Sequence, residues 1–146
     1  MQGSSPARLY ATLIGGTLVI AGVIGFFYNG HFGSGSDVFG NDRSVDVFGI
    51  LSVNGWHNLF HIATGALGLL AAGYAARTYA LGFGLLYVVL AIYGFIIGSG
   101  DNLLGIIPVN TEDNFLHLLL GLLGLAAGAA TDTPPEASPT ATSPAG

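Results

Sequence analysis

Two stretches of the chain share one pattern: VNGWHNLFH at residues 53–61 and VNTEDNFLH at residues 109–117. Each stretch opens a long apolar run, and both read V-N-x3-N-x2-H, followed by two glycines within the run. Every shared position of the second stretch lies 56 residues after its counterpart in the first. The two stretches therefore predict two equivalent helix starts, around which the rest of the sequence can be interpreted.

The composition is typical of a membrane protein rather than of a soluble domain. Of 146 residues, 51% are hydrophobic and only 8% carry a charge, whereas soluble domains carry about 25% charged residues. The apolar residues fall in four runs long enough to cross a bilayer, which takes about 20 residues of helix. These runs predict membrane-spanning helices at about residues 9–28, 58–76, 78–97 and 113–130.

Several classes of function are excluded by the residues that the chain lacks. It contains no cysteine, which excludes disulfides, thiolate metal sites and cysteine nucleophiles. Three basic residues are too few for a nucleic-acid surface, so no nucleic-acid partner is expected. The leader has no basic residue and the run after it is too long for a cleaved signal peptide. We expect the first helix to remain as an anchor, with the lipid bilayer as a partner.

The match between the two halves extends back into the helices that precede the shared pattern. The matching residues, each pair 69 positions apart, are Ala7, Arg8, Tyr10, Ala11, Gly15 and Gly25 with Ala76, Arg77, Tyr79, Ala80, Gly84 and Gly94. We predict an all-α fold, a four-transmembrane-helix bundle in residues 1–130 made of two parallel two-helix repeats at about 7–72 and 76–128. Residues 29–53 form an outer loop with a 13-residue insertion, and the proline-containing residues 131–146 form a disordered tail.

Charged residues are divided between the two ends of the predicted helices. Arg8 and Arg77 lie at one end, and the acids of the loops lie at the other, where Arg43 is the only cation. The positive-inside rule then predicts a multi-pass protein of the cell inner (plasma) membrane with both termini in the cytoplasm. The tyrosines near helix ends are expected to anchor the chain at the membrane interface, namely Tyr10, Tyr28, Tyr79 and Tyr93.

Small and polar residues recur every three or four positions along each predicted helix. This spacing places them on one face, as in helices that cross at a shallow angle of about 20°. In the second and fourth helices the positions are Asn54, Asn58, His61, Gly65, Gly68 and Ala72, and Asn110, Asn114, His117, Gly121, Gly124 and Gly128. We expect these two helices to meet near the pseudo-two-fold axis, with His61 and His117 pointing inward at similar depth.

The doubled pattern, with Asn58 and His61 in the first copy and Asn114 and His117 in the second, resembles that of a known protein family. This is a bacterial family of small four-helix integral membrane proteins, catalogued as a domain of unknown function, DUF4383. The resemblance covers about residues 7–130. It implies the fold and a membrane location, and it supplies no catalytic residues.

The paired polar residues can be explained as a structural clamp. Asparagine is among the best residues for capping a helix N-terminus, which is where Asn54 and Asn110 lie. The side chains that follow can form hydrogen bonds across the seam or to loop carbonyls. The predicted polar clamp consists of Asn54, Asn58, His61, Asn110, Asn114 and His117.

The histidines also permit a binding site. His57 and His61 are one helical turn apart, a ligand spacing that suits zinc or copper, and His117 could be a third ligand. Alternatively, His61 and His117 could ligate a haem from two facing helices. The second copy has Asp113 where the first has His57, so the histidine pair is not duplicated. Close glycine packing also argues against a porphyrin.

The sequence thus leads to two functional hypotheses. The first is a non-enzymatic structural or accessory subunit of a larger membrane complex, or a homo-oligomer, with no cofactor. The alternative is a haem-, metal- or quinone-binding redox membrane protein that uses His61 and His117. Conduction is less favoured, because transport pathways usually contain intramembrane charges and the interior of the predicted spans offers none.

Overall fold

Four α-helices dominate the computed structural model, which describes residues 4–38 and 46–132. The helices are α1 Pro6–Tyr28, α2 Gly55–Ala71, α3 Ala76–Ile97 and α4 Thr111–Ala129. The predicted all-α four-helix fold is therefore confirmed. Helix α2 ends at Ala71, earlier than the predicted residue 76, because residues 72–75 form the turn that leads into α3.

The loops contain two short β-hairpins that the sequence interpretation missed. The first pairs β1 Asp46–Val47 with β2 Leu51–Ser52, and the second pairs β3 Asp101–Leu103 with β4 Ile107–Val109. In both turns a bulky residue and the glycine after it have positive φ: 54° and 69° in the first, 53° and 77° in the second. Two consecutive residues with positive φ define the type I′ turn, which favours a tight hairpin.

Glycines hold the helices together in two antiparallel pairs, α1 with α2 and α3 with α4. A Cβ on Gly15 would lie 2.8 Å from the carbonyl oxygen of Gly65 in the first pair. A Cβ on Gly84 would lie 2.8 Å from the carbonyl oxygen of Gly121 in the second. Since real Cβ atoms do not approach this closely, these glycines allow backbone-to-backbone contact within each pair.

Helices α1 and α3 form the centre of the molecule. Their buried residues Tyr10, Leu18, Phe83 and Tyr87 belong to one hydrophobic core cluster. The second and fourth helices were predicted to meet near the central axis. They do so at His61 and His117, whose ring centroids lie 6.5 Å apart. Elsewhere the large side chains of α1 and α3 fill the centre, because Gly65 and Gly121 face the helices of their own pairs and Gly68 and Gly124 lie against tyrosines of the other pair.

Two tyrosines connect the helical pairs across this centre. The Tyr10 hydroxyl donates a hydrogen bond of 2.7 Å to the carbonyl of Leu120, and the Tyr79 hydroxyl donates one of 3.1 Å to the carbonyl of Thr64. Tyr10 is only 7% exposed. These two residues were predicted to be interface anchors, and that prediction is wrong because each has a carbonyl partner inside the fold.

Two arginines satisfy carbonyl groups at the far end of the helical pairs. Arg8 Nε donates to the carbonyl of Ala72 at 2.9 Å, and Arg77 Nε donates to the carbonyl of Thr131 at 3.1 Å. These carbonyls follow the last residues of α2 and α4, where helices leave acceptors unpaired. Of the predicted disordered tail, residues 133–146 lie outside the described part of the chain.

The outward faces of the helices are strongly apolar. Helices α1 and α3 are long and apolar enough to cross a membrane. Large hydrophobic side chains on all four helices are exposed, among them Ile20, Leu70, Ile96 and Leu119. The fold therefore buries its small and polar residues and presents its large apolar residues to the surroundings.

Candidate histidine site

Asparagine caps determine where the histidine-bearing helices begin. Asn54 Oδ1 accepts the backbone N–H of His57 at 2.9 Å, and Asn110 Oδ1 accepts the backbone N–H of Asp113 at 2.8 Å. Asp113 returns the contact by accepting the Asn110 N–H at 3.1 Å, which completes a capping box. Each cap fixes the first turn, and with it the direction of the side chains that follow.

The same two asparagines link each helix start to the opposite hairpin. Asn54 Nδ2 donates to the carbonyl of Ile106 at 2.7 Å, and Asn110 Nδ2 donates to the carbonyl of Ile50 at 2.6 Å. Asn54 Nδ2 also lies 3.0 Å from the carbonyl of Val38. Because each bond joins one helical pair to a hairpin turn of the other, the two helix starts are held at a defined separation.

The second asparagine of each copy lies against a glycine of the preceding helix. Asn58 packs on Gly25 and Asn114 packs on Gly94, so closely that a Cβ on either glycine would overlap the amide. Asn58 Nδ2 donates to the carbonyl of Asn29 at 2.8 Å, at the end of α1. Both asparagines are fully or almost fully buried. They therefore set the depth at which α2 and α4 sit beside their partners.

Three histidines converge just inside these helix starts. His57 and His117 are buried, with 2% and 5% exposure, and His61 is half-buried. The Nε2 atoms of His57 and His61 lie 3.1 Å apart, and one nitrogen from each of the three rings lies within 4.8 Å of the others. The structure thus brings together all three residues that the sequence offered as possible metal ligands.

A hydrogen-bonded chain orients the first histidine. His57 Nδ1 lies 2.9 Å from the carbonyl of Ser52 on β2, to which it can only donate. The N–H of Ser52 donates in turn to Asp113 Oδ2 at 3.0 Å. With Nδ1 protonated, neutral His57 presents the lone pair of Nε2 towards His61. Histidines that bind metals are commonly held in this way by a carbonyl or carboxylate.

Asp113 is the member of this arrangement that the sequence did not single out. It supports the start of α4 through the capping box, and it is also buried, with 3% exposure. A signal was present, because Asp113 occupies the position in the second copy that His57 occupies in the first. Both residues bond to the backbone of Ser52, His57 to its carbonyl and Asp113 to its N–H.

An aromatic wall borders the third histidine. The ring of His117 lies edge-on to Tyr87 with 4.9 Å between centroids, and Tyr87 stacks on Phe83 at 3.9 Å. Among the described residues, His117 Nδ1 has no hydrogen-bond partner. The wall holds the ring of His117 beside the other two histidines.

The histidine cluster adjoins a cavity of about 320 Å³ between α1 and α4, under the first β-hairpin. His61, Asp113 and His117 form part of its lining, and apolar side chains form almost all the rest. The cluster therefore has one side packed against protein and another that faces an apolar space.

The geometry suits a metal ion better than a haem. Two nitrogens bound tetrahedrally at about 2.0–2.1 Å from zinc lie about 3.3 Å apart, close to the 3.1 Å between His57 and His61. One nitrogen of His117 lies within 4.8 Å of both, so a small shift of its ring would complete the set. A haem bound by His61 and His117 would place its porphyrin beside the Nε2 atom of His61, where the His57 ring already lies. Three imidazoles can instead hold one ion and leave a fourth coordination position open.

The fold and the site define a class: a small four-helix protein with a buried histidine cluster at the starts of two helices. Its family is shown by the comparison with family models. The chain belongs to the family described as "Domain of unknown function (DUF4383)", whose model matches residues 8–130. No curated protein and no solved structure matches the chain.

Proposed function

We propose that the protein spans the cell inner (plasma) membrane four times, with both termini in the cytoplasm, and that it arose by duplication of a helical pair. The apolar outward faces support the membrane location. Arg8 and Arg77 lie at one end of the helices, and Asp46, Asp101 and Glu112 lie at the other. This charge distribution supports the orientation. Arg43 lies outside the described residues.

We further propose that its function is to bind a transition-metal ion, zinc or copper, through His57, His61 and His117. The observation that carries this proposal is the convergence of one ring nitrogen from each histidine within 4.8 Å. Imidazole ligands suit both metals, and three protein ligands with a free position are characteristic of reactive sites rather than structural ones. The proposal takes up the second hypothesis from the sequence, without haem.

The orientation of His57 adds support from the surroundings of the cluster. Because the Ser52 carbonyl is bonded to Nδ1, the other ring nitrogen of His57, Nε2, is left to face His61. A role in packing alone would not require this orientation of the ring. Here the Ser52 carbonyl accepts from the opposite ring nitrogen, and the Asp113 carboxyl holds Ser52 in place through its N–H. This arrangement fixes the ring of His57 with Nε2 available as a ligand atom.

A structural or accessory subunit of a larger membrane complex, or a homo-oligomer, is the second candidate. It would be non-enzymatic, with other membrane subunits or a second copy as partners. The observation in its favour is that Asn54 and Asn110 use their amides to join the two helical pairs. These bonds stabilise the fold whether or not an ion is present.

The test is metal analysis of protein purified in mild detergent and dialysed against zinc or copper. We expect about one ion per chain, as three ligands around one centre require, and loss of that ion in His61→Ala. His31→Ala is the matched control, because His31 is the fourth histidine and pairs instead with Asp37 in the outer loop. Equal metal content in His61→Ala and the wild type would contradict the proposal.

A further inference from the structure

We propose that the cavity beside the histidine cluster binds a membrane-soluble ligand of the quinol class, with its head group at the polar end lined by His61, Asp113 and His117. This inference deepens the proposed function and rests on it for the metal ion. The cavity lies between α1 and α4, and its volume of about 320 Å³ is near the lower end of the range for small-molecule sites. That volume suits one substituted ring with the first part of a tail.

The walls of the cavity favour an apolar ligand body. Leu18, Ala21 and Ile24 line it from α1, and Leu116 and Leu120 line it from α4. The first β-hairpin covers its outer end with Val47, Phe48 and Leu51. Burying an apolar ligand here would gain about 25 cal/mol for each Å² removed from water.

The polar end of the cavity offers partners to the hydroxyl groups of a ligand. The Asp113 carboxyl can accept a hydrogen bond from a hydroxyl. A metal ion held by the histidines would offer an open coordination position to a ligand oxygen. A quinol hydroxyl can donate to a carboxylate or coordinate a metal, and it carries no formal charge.

The rim of the cavity is open towards the side of the molecule. Ile20 and Phe48 are 61% and 72% exposed, and Leu116 is 39% exposed. All three line the cavity. In the proposed membrane orientation this rim faces lipid, so the ligand would enter from the bilayer rather than from water.

The corresponding positions in the second helical pair carry larger side chains. Tyr87 lies 69 residues after Leu18, at the same place in its own helix, and its ring is stacked on Phe83 and buried. Leu90 likewise corresponds to Ala21. The smaller Leu18 and Ala21 both line the cavity.

The experiment is a calorimetric titration of the zinc-loaded protein in detergent with decylubiquinol, alongside metal analysis of the same sample. We expect saturable binding that Leu18→Tyr weakens at least about tenfold, since the new ring occupies the space of the head group. Zinc content should not change in this variant. Leu13→Tyr is the matched control, because Leu13 is on the same helix, 58% exposed and outside the cavity lining.

Ala21→Phe, which narrows the same cavity from a neighbouring position, provides a second variant if Leu18→Tyr does not fold. Equal decylubiquinol affinity in the folded cavity variant and in Leu13→Tyr would overturn the inference, and so would equal competition by laurate. Zinc binding without decylubiquinol binding would overturn the inference about the cavity and leave the metal site supported. Decylubiquinol binding to a protein that takes up no zinc would support the cavity and overturn the metal site.

Discussion

The starts of α2 and α4 are built alike and differ at one decisive position. Each begins with an asparagine cap, carries a buried asparagine one turn later and presents a histidine after another turn. Between these common residues, α2 has His57 and α4 has Asp113. One scaffold thus carries the proposed ligand His57 on one side and, on the other, a carboxyl that holds the Ser52 backbone to which His57 is bonded.

A second difference separates the helices that precede these starts. Leu18 of α1 and Tyr87 of α3 occupy matching positions, and the cavity lies beside Leu18. The equivalent residues hold the fold together, through glycines, caps and tyrosine hydroxyls. The histidine cluster and the cavity include positions at which the two halves differ. Substitutions at matching positions and at differing positions should therefore have different effects.

The largest effect is expected from the matching glycines that contact asparagine. Gly25→Leu and Gly94→Leu should each lower the free energy of unfolding by about 3 kcal/mol or more, because the new side chain must displace a buried amide. Denaturation in mixed micelles would measure this loss. Gly16→Leu is the control, since a Cβ there meets no atom within 4 Å. If Gly94→Leu were as stable as the control, the close packing of α3 on α4 would be refuted.

The next effect distinguishes the two caps. Asn54→Ala should cost about 2–4 kcal/mol of unfolding free energy and Asn110→Ala about 1–3 kcal/mol, the sum of a lost cap and buried carbonyls left unpaired. Asn54 has the larger expected loss because it also bonds to Val38. The same denaturation assay applies, with Asn102→Ala in the second hairpin as control. A larger loss for Asn110→Ala would contradict this ranking.

The sequence predicted the four helices and their buried faces because small residues recur at three- and four-residue intervals. It could also have yielded the hairpins, since Phe48-Gly49 and Leu104-Gly105 are matching turn signals with apolar neighbours. The sequence did not show which helices form the centre of the bundle. That depends on how the large side chains of α1 and α3 pack against the other helices.

The candidate site was also predictable only in part, because part of it depends on contacts between helices. The spacing of His57 and His61 is local, so it follows from the period of one helix. The approach of His117 depends on the three-dimensional arrangement of two helices that are not paired. The cavity is lined by side chains from two helices and the first hairpin, so it becomes visible only when the neighbouring side chains are in place. The accessory role stays a prediction.

A moderate effect is expected at the unlike position. Asp113→Asn keeps an oxygen acceptor for the Ser52 and Asn110 N–H groups but removes the charge of the carboxyl that holds Ser52, whose carbonyl accepts from His57. We expect zinc affinity to fall about 10- to 100-fold, the usual range for residues that orient a metal ligand. Competition with a chromophoric chelator would measure it. The neighbouring Glu112→Gln, which removes an exposed charge, should have little effect, and an equal decrease in both variants would exclude the proposed orienting role.

The smallest effect concerns the tyrosine bonds between helical pairs. Tyr10→Phe and Tyr79→Phe should each cost about 0.6 kcal/mol of unfolding free energy, the average for hydrogen bonds inside membrane proteins. Tyr28→Phe provides the control, since Tyr28 is 38% exposed and near the end of α1. No loss in Tyr10→Phe or in Tyr79→Phe would show that the two hydroxyl bonds contribute nothing to holding the pairs together.

X-ray absorption at the zinc edge of the loaded wild-type protein tests the central claim most directly. We expect three imidazole nitrogen scatterers at about 2.0–2.1 Å, from His57, His61 and His117, and one further light ligand in the open position. A spectrum with oxygen ligands alone, or a protein that retains no zinc after dialysis, would contradict the proposal that this cluster is a metal site.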